Sequence, residues 1–253
     1  MSDSPPAPWP DGYDRIVLPQ VDSTNAEAAR RALALSQPAW LLGLRQTKGR
    51  ARRGRGWHDP DGNFAATLVL PAPGGPGTAA LRSFVAAVAL ADTVAQIAPH
   101  VPIALKWPND VLLGGRKVAG ILLETTGMGQ HTGPLLIGIG VNLRATPAPE
   151  ALEPRAVQPT SILAETGAQM TPTAFLDRLA PAYAAREAAF RTKGFAPIRD
   201  AFRARAARLG EAVTARTGAR EVSGRFEDIA PDGAIVLATG QGRVAIAAAE
   251  IHF

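Results

Sequence analysis

The sequence predicts an α+β fold followed by a small β-barrel, and three observations lead there. Before residue 209 the apolar runs of strand length and the helical stretches mix without a regular βαβα alternation, which favours an α+β sheet over a doubly wound one. From Glu211 onward the chain becomes short alternating strands separated by turn residues at Thr217-Gly218, Pro231-Asp232-Gly233 and Gly240-Gln241-Gly242, the pattern of a small barrel of about 45 residues that is marginal alone. With 253 residues, 46% apolar and 19% charged, the chain can bury a sizeable core in one or two domains. A division into residues 1–209 and 210–253 follows.

The elements are expected in this order. After a Pro-rich start, Val21 to Glu27 closes an extended segment and opens a helix to about residue 36, with Thr24 and Glu27 at capping-box spacing. Residues 39–46 and 64–70 are apolar runs bounded by turn residues, hence strands. Leu81, Phe84, Val85, Val88, Val94 and Ala95 recur on one side of a helix over 78–98. Strands follow over 102–105, 111–113, 117–124 and 135–142, with Gly114-Gly115 as a tight hairpin turn. Residues 160–209 are helical in three pieces, and Pro181 should kink the middle one or delay its start.

Composition removes several function classes. There is no cysteine, so no disulfide framework, thiolate metal site or cysteine nucleophile. His58, His100, His131 and His252 lie far apart, so no metal centre is expected. The start lacks the basic and apolar regions of a signal peptide, and no apolar run approaches the ~20 residues that span a bilayer, so the expected location is cytoplasmic, away from membranes. The net charge of +5 suits a partner rich in phosphate, whether nucleic acid or nucleotide.

That charge has one focus. Within residues 46–57 lie three glycines (Gly49, Gly54, Gly56) and five cations (Lys48, Arg50, Arg52, Arg53, Arg55). Glycines permit close backbone approach, and guanidinium forks grip carboxylates and phosphates. The loop should be mobile when empty and order over an anion. It is not a P-loop, since Arg55-Gly56 stands where Lys-Ser/Thr would be. Lys106-Trp107-Pro108-Asn109-Asp110 sets a cation, an aromatic, an amide and an acid in a turn, and Lys117 opens an apolar strand where its ammonium could face a reacting carboxylate. Gly138-x-Gly140-x-Asn142 lacks the third glycine and the helix of a dinucleotide site. Ser23 has no nucleophile elbow around it and suits a helix cap.

Asp22-Ser23-Thr24-Asn25, the Gly49 to Trp57 loop, Lys106 to Asp110, Lys117-x-x-Gly120-Ile121-Leu122-x-Glu124 and Gly138-x-Gly140-x-Asn142 together resemble the biotin–protein ligases in order and spacing, and the resemblance runs to the C-terminus. It implies a mixed sheet with helices packed on one side, as in class II synthetases, plus an SH3-like small barrel. It also implies activation of biotin with ATP and Mg2+ to biotinyl-5′-AMP, then transfer to one lysine of an apo biotin carboxyl carrier protein, such as that of acetyl-CoA carboxylase. Ser23, Thr24, Asn25 and Gln46 would bind biotin, chiefly its ureido ring, while Arg50, Ala51 and Arg52 would lie beside its carboxylate and the adenylate phosphate. Lys117 would contact the reacting groups, with Arg50 and Arg52 as its catalytic companions. Arg55, Trp57, Asn109 and Asn142 would hold the nucleotide.

Two departures stand out: Ala51 replaces a loop glycine, and Ala247-Ala248-Ala249-Glu250 replaces a glycine turn. About twenty residues precede the Ser-Thr-Asn motif, too few for a helix-turn-helix, so a ligase that does not bind DNA is expected, with its state open between monomer and homodimer. A lipoate–protein ligase of the same fold and a basic nucleic-acid-binding module are the rival readings.

Overall fold

The computed structural model describes residues 7–57, 59–126, 133–147, 157–218 and 220–252. Seven strands form the main sheet: β1 (Asp14–Leu18), β2 (Ala39–Gly43), β3 (Phe64–Leu70), β4 (Ile103–Lys106), β5 (Asp110–Leu113), β6 (Arg116–Thr125) and β7 (Leu135–Val141), in the order β1-β2-β3-β7-β6-β5-β4. Only β1 and β2 pair in parallel. A parallel pair needs a crossover, and helix α1 (Thr24–Arg31) supplies it. The sheet is therefore mixed.

Side-chain alternation divides the work of its two faces. Trp40 and Leu42 of β2, and Ile137, Ile139 and Val141 of β7, join the large core beneath α3 (Arg82–Ile97) and α5 (Pro172–Lys193), which follows the short α4 (Ile162–Thr166) and on which α6 (Ala196–Arg203) packs. Ala39, Leu41 and Leu136 point the other way, against Ala28 and Ala32 of the α1 region. The long helices thus gather on one side and α1 covers part of the other. What α1 leaves uncovered becomes the site.

Several boundaries differ from the sequence expectations. α1 gives way after Arg31 to a single 3-10 turn, Ala32–Ala34, and β2 ends at Gly43. The expected helix over 78–98 is two helices, α2 (Pro76–Ala80) and α3, meeting at Leu81. Where they meet, the buried Arg82 guanidinium donates to the carbonyls of Pro73 and Thr78 and pairs with Glu187 of α5 at 2.8 Å. Residues 76–97, with an 18-residue stretch of mean hydropathy 1.4, are long and apolar enough to cross a membrane by length and composition, contrary to the expectation that no such run exists. Of that stretch 72% is buried, packed against the sheet and α5 as in the core helix of a globular protein. Pro181 neither delays nor ends α5, which starts at Pro172 behind the Thr171 cap and runs on to Lys193. Of the expected Pro-rich start, residues 1–6 lie outside the described residues. Gly114 and Gly115 do turn β5 into β6, both at positive φ, as a two-residue hairpin requires.

The second sheet is antiparallel: β8 (Ala212–Thr217), β9 (Arg220–Ile229), β10 (Ile235–Thr239), β11 (Gly242–Ile246) and β12 (Glu250–His252), in the order β11-β10-β9-β8-β12. It is consistent with the SH3-like expectation. Its apolar residues, Phe226, Ile235, Leu237 and Ile251 among them, belong to the same continuous core as Phe84, Leu105 and Phe202. Trp107 is buried at this junction and donates from Nε1 to the Gly233 carbonyl at 3.0 Å. Its place in the Lys106 to Asp110 motif is thereby a structural one.

Candidate active site

On the sheet face that α1 leaves open, a cleft is lined by Ser23, Thr24, Asn25, Gln46, Arg50, Ala51, Arg52, Arg55, Trp57, Asn109 and Lys117. A concave surface with a few convergent polar and cationic groups suits a small-molecule site. The sequence places these residues on four separate stretches, and the sheet brings them together.

The floor is made of glycine. Gly138 and Gly140 are two apart on β7, so both face the cleft, and Gly120 of β6 pairs with Gly140. A Cβ on Gly138 would lie 2.2 Å from Asn25 Oδ1, and one on Gly140 would lie 2.4 Å from Trp57 Cε2. The Gly-x-Gly pattern therefore has a steric cause: Asn25 and the Trp57 indole lie flat on bare backbone.

One end is a network of short polar side chains. Ser23 occupies the N-cap of α1 in extended conformation, but its side chain makes no capping hydrogen bond. The expected Thr24–Glu27 capping box is absent too, because Glu27 pairs with Arg30 and Arg31, both at 2.6 Å, and Thr24 turns inward. The Thr24 backbone N–H donates to Gln46 Oε1 at 2.9 Å, and Thr67 Oγ1 lies 2.9 Å from Thr24 Oγ1 and 2.5 Å from Asn25 Oδ1. Asn25 Nδ2 donates to Glu124 at 2.8 Å, while Gln46 Nε2 reaches Asp59 at 3.3 Å. Burial pushes the Asp59 carboxyl above the usual carboxylate range, against the hydrogen bond from Gln46.

The other end is cationic. The basic loop folds back on itself: Arg50 bridges Gly56, and the Trp57 N–H donates to the Gly49 carbonyl at 2.9 Å. Ala51 has φ −128°, extended backbone open to any residue, so the missing glycine leaves no strain; Gly54 carries the positive φ of +73°. Arg50 reaches Glu124 at 2.7 Å, Arg52 reaches Asn109 Oδ1 at 3.1 Å, and Arg55 lies 3.4 Å from Glu250 of β12. Lys117 Nζ sits 2.8 Å from Asp110 Oδ1 and 5.9 Å from the centre of the Trp57 ring. Lys106 also lines the cleft, and its pKa is lowered chiefly by burial, with Asp110 pulling the other way. Arg50, Arg52, Arg55 and Lys117 are thus each matched with a protein acceptor that an anionic ligand could replace.

Asn142 is not brought to the cleft. It is buried just past β7, where its Nδ2 donates to the Thr160 carbonyl at 3.0 Å. Residues 158–160 in turn clamp the Lys117 backbone, through Lys117 N to Gln158 O at 2.8 Å and Thr160 N to Lys117 O at 2.9 Å. Asn142 touches the site only through that segment. Sequence reasoning passed over Thr67, Asp59 and Glu250. Thr67, the one polar residue in the Phe64–Leu70 run, was a legible signal; the other two carried none.

Comparisons with known proteins agree with this arrangement. Residues 17–142 match the Biotin/lipoate A/B protein ligase family, and residues 209–253 match the Biotin protein ligase C terminal domain. The chain is 52% identical to the biotin–[acetyl-CoA-carboxylase] ligase of Paracoccus denitrificans, over 94% of this chain and 99% of that one. It is 31% identical to the Mycobacterium tuberculosis protein of the same name, over 93% and 87%. The structure of the biotin protein ligase from Aquifex aeolicus in complex with biotin and ATP superposes with a TM-score of 0.80 at 24% identity, covering 94% of this chain and 97% of that one, and shares the fold. Because the similarity to the Paracoccus protein spans both sheets nearly end to end, the chain belongs to the biotin–[acetyl-CoA-carboxylase] ligase family.

Proposed function

We propose that the protein activates biotin with ATP to biotinyl-5′-AMP and transfers biotin to one lysine of an apo biotin carboxyl carrier protein, that of acetyl-CoA carboxylase or a related carboxylase. The observation that carries this is the convergence of Arg50, Arg52, Arg55 and Lys117 on the same cleft as Ser23, Thr24, Asn25 and Gln46. In the first step a carboxylate oxygen of biotin bonds to the α-phosphorus of ATP and the bond to pyrophosphate breaks. Both reactants are anions, so cations fixed beforehand lower the barrier. Lys117 would meet the reacting carboxyl and phosphoryl oxygens, Arg50, Ala51 and Arg52 would line the carboxylate and phosphate, and Arg55, Trp57 and Asn109 would hold the nucleotide. In the second step the amine of the carrier lysine bonds to the acyl carbon, AMP leaves, and the amine loses a proton.

Mg2+ enters with ATP as its counter-ion. Among the described residues no three His, Cys, Asp or Glu side chains group to hold a metal, and Mg2+ would take its ligands mainly from ATP phosphate oxygens and water. The proposal places catalysis in residues 1–209, with 210–253 closing the nucleotide end through Glu250. It also places the enzyme in the cytoplasm, as a monomer or homodimer acting without DNA or membrane. Incubation with ATP, Mg2+, biotin and an apo-carrier should add one biotinyl group to the carrier, read by mass spectrometry. No mass change, or equal transfer of lipoate, would reject the proposal.

A further inference from the structure

We infer that Thr67 is a positioning residue for ligand recognition: its buried hydroxyl, with Glu124, fixes which way the Asn25 amide and the Thr24 hydroxyl face. This rests on the reading that Thr24 and Asn25 bind the ureido group of biotin.

The argument is one of counting protons. Thr67 is wholly buried on β3, where a hydroxyl is kept only if it is hydrogen-bonded. An ionised carboxylate accepts and cannot donate, so Glu124, which also receives Arg50, takes the Nδ2 end of Asn25. The Oδ1 end then faces Thr67, 2.5 Å away, and Thr67 must be the donor. A hydroxyl has one proton, so at the 2.9 Å contact between the two threonines Thr67 is the acceptor or a bystander. The Thr24 proton is drawn toward the protein, to Thr67 or to Gln46 Oε1 at 3.2 Å, and its lone pairs are left for the cleft. The network therefore has a direction: Thr24 offers an acceptor, the partner that an N–H of a cyclic urea needs. Without the Thr67 hydroxyl, Asn25 Oδ1 loses its donor and Thr24 loses one of its two inward acceptors, so Glu124 and Gln46 alone hold the two side chains and hold them less firmly.

Thr67→Val keeps the shape and removes the hydroxyl, and Thr67→Ser keeps the hydroxyl. Thr67→Val should raise the KM for biotin about tenfold, the order expected for one lost hydrogen bond, while the KM for ATP and kcat at saturating biotin stay within twofold. Thr67→Ser should restore the parental KM. Thr67→Ala, folded by its thermal transition, provides the same comparison should valine fail to fold. A biotin KM within twofold of the parent in Thr67→Val or Thr67→Ala overturns the inference, as does an equal rise in the KM for biotin and ATP, which marks general distortion. If the parent binds no biotin, the functional reading itself falls.

Discussion

Lys117 and Asp110 face each other at 2.8 Å with the Trp57 ring nearby, so the ammonium is held in place before any ligand arrives. Removing a fixed electrostatic donor of this kind typically costs ~10²- to 10³-fold in rate. Lys117→Ala should therefore slow adenylate formation by at least about a hundredfold, measured as biotin-dependent pyrophosphate release; a rate within twofold of the parent would end its catalytic role. Asp59 supports a prediction with a different readout. Burial raises its folded-state pKa above the ordinary value of 3.8, so the folded protein binds this proton more tightly than the unfolded one. The stability it contributes is complete below that ordinary value and declines as pH rises through the folded pKa. Asparagine carries no charge at any pH, so the melting temperature of Asp59→Asn relative to the parent should increase between pH 4 and pH 8. A difference that stays constant across that range would show that Asp59 titrates normally.

At the scale of the element, β7 joins fold and site. Its odd-numbered residues fill the core under the long helices, while Gly138 and Gly140 on the opposite face leave room for Asn25 and Trp57. A Cβ closer than 3 Å forces something to move, and the two glycines hold up different side chains. Gly138→Ala should raise the KM for biotin through Asn25, whereas Gly140→Ala should raise the KM for ATP through Trp57, each by tenfold or more. If both variants change both constants alike, the glycines serve only the sheet. Much of this was legible in sequence: strand identity from apolar runs, the cations from their density, and cleft membership for each residue expected to bind or catalyse except Asn142. The Gly-x-Gly pattern was seen without its cause, because the Cβ-free surface matters only once residues 25 and 57 are laid across it. Asn142 shares the spacing of the two glycines but follows the end of the strand, where the chain turns to hydrogen-bond residues 118 and 162. The break at Leu81 depends on Arg82, Pro73 and Thr78 meeting at one point, which a periodicity cannot show.

At the scale of the whole molecule, the change of pattern near residue 209 marks a second sheet but not a second core. Phe226, Ile229, Ile235, Leu237 and Ile251 pack in one cluster with Leu105, Trp107, Phe84 and Phe202. Leu105 is hydrogen-bonded on both sides to the segment that leads into β8, through Arg205 O at 2.7 Å and Ala207 N at 2.9 Å. Glu250 and Ile251 also line the cleft, so docking of the small sheet completes the site at its nucleotide end. About 45 residues bury too little surface to be stable alone without a staple, and this chain has no cysteine to provide one. The two sheets should therefore melt together, as units that share a core do. Calorimetry of the full chain should show one transition whose calorimetric and van't Hoff enthalpies agree. Trp107→Leu, which removes the Nε1 bond to Gly233 and part of the junction's packing, should lower that single transition without splitting it. Two resolved transitions in either protein would mean that the small sheet folds on its own, and the dependence of the cleft on Glu250 would then have to come from docking of a preformed unit.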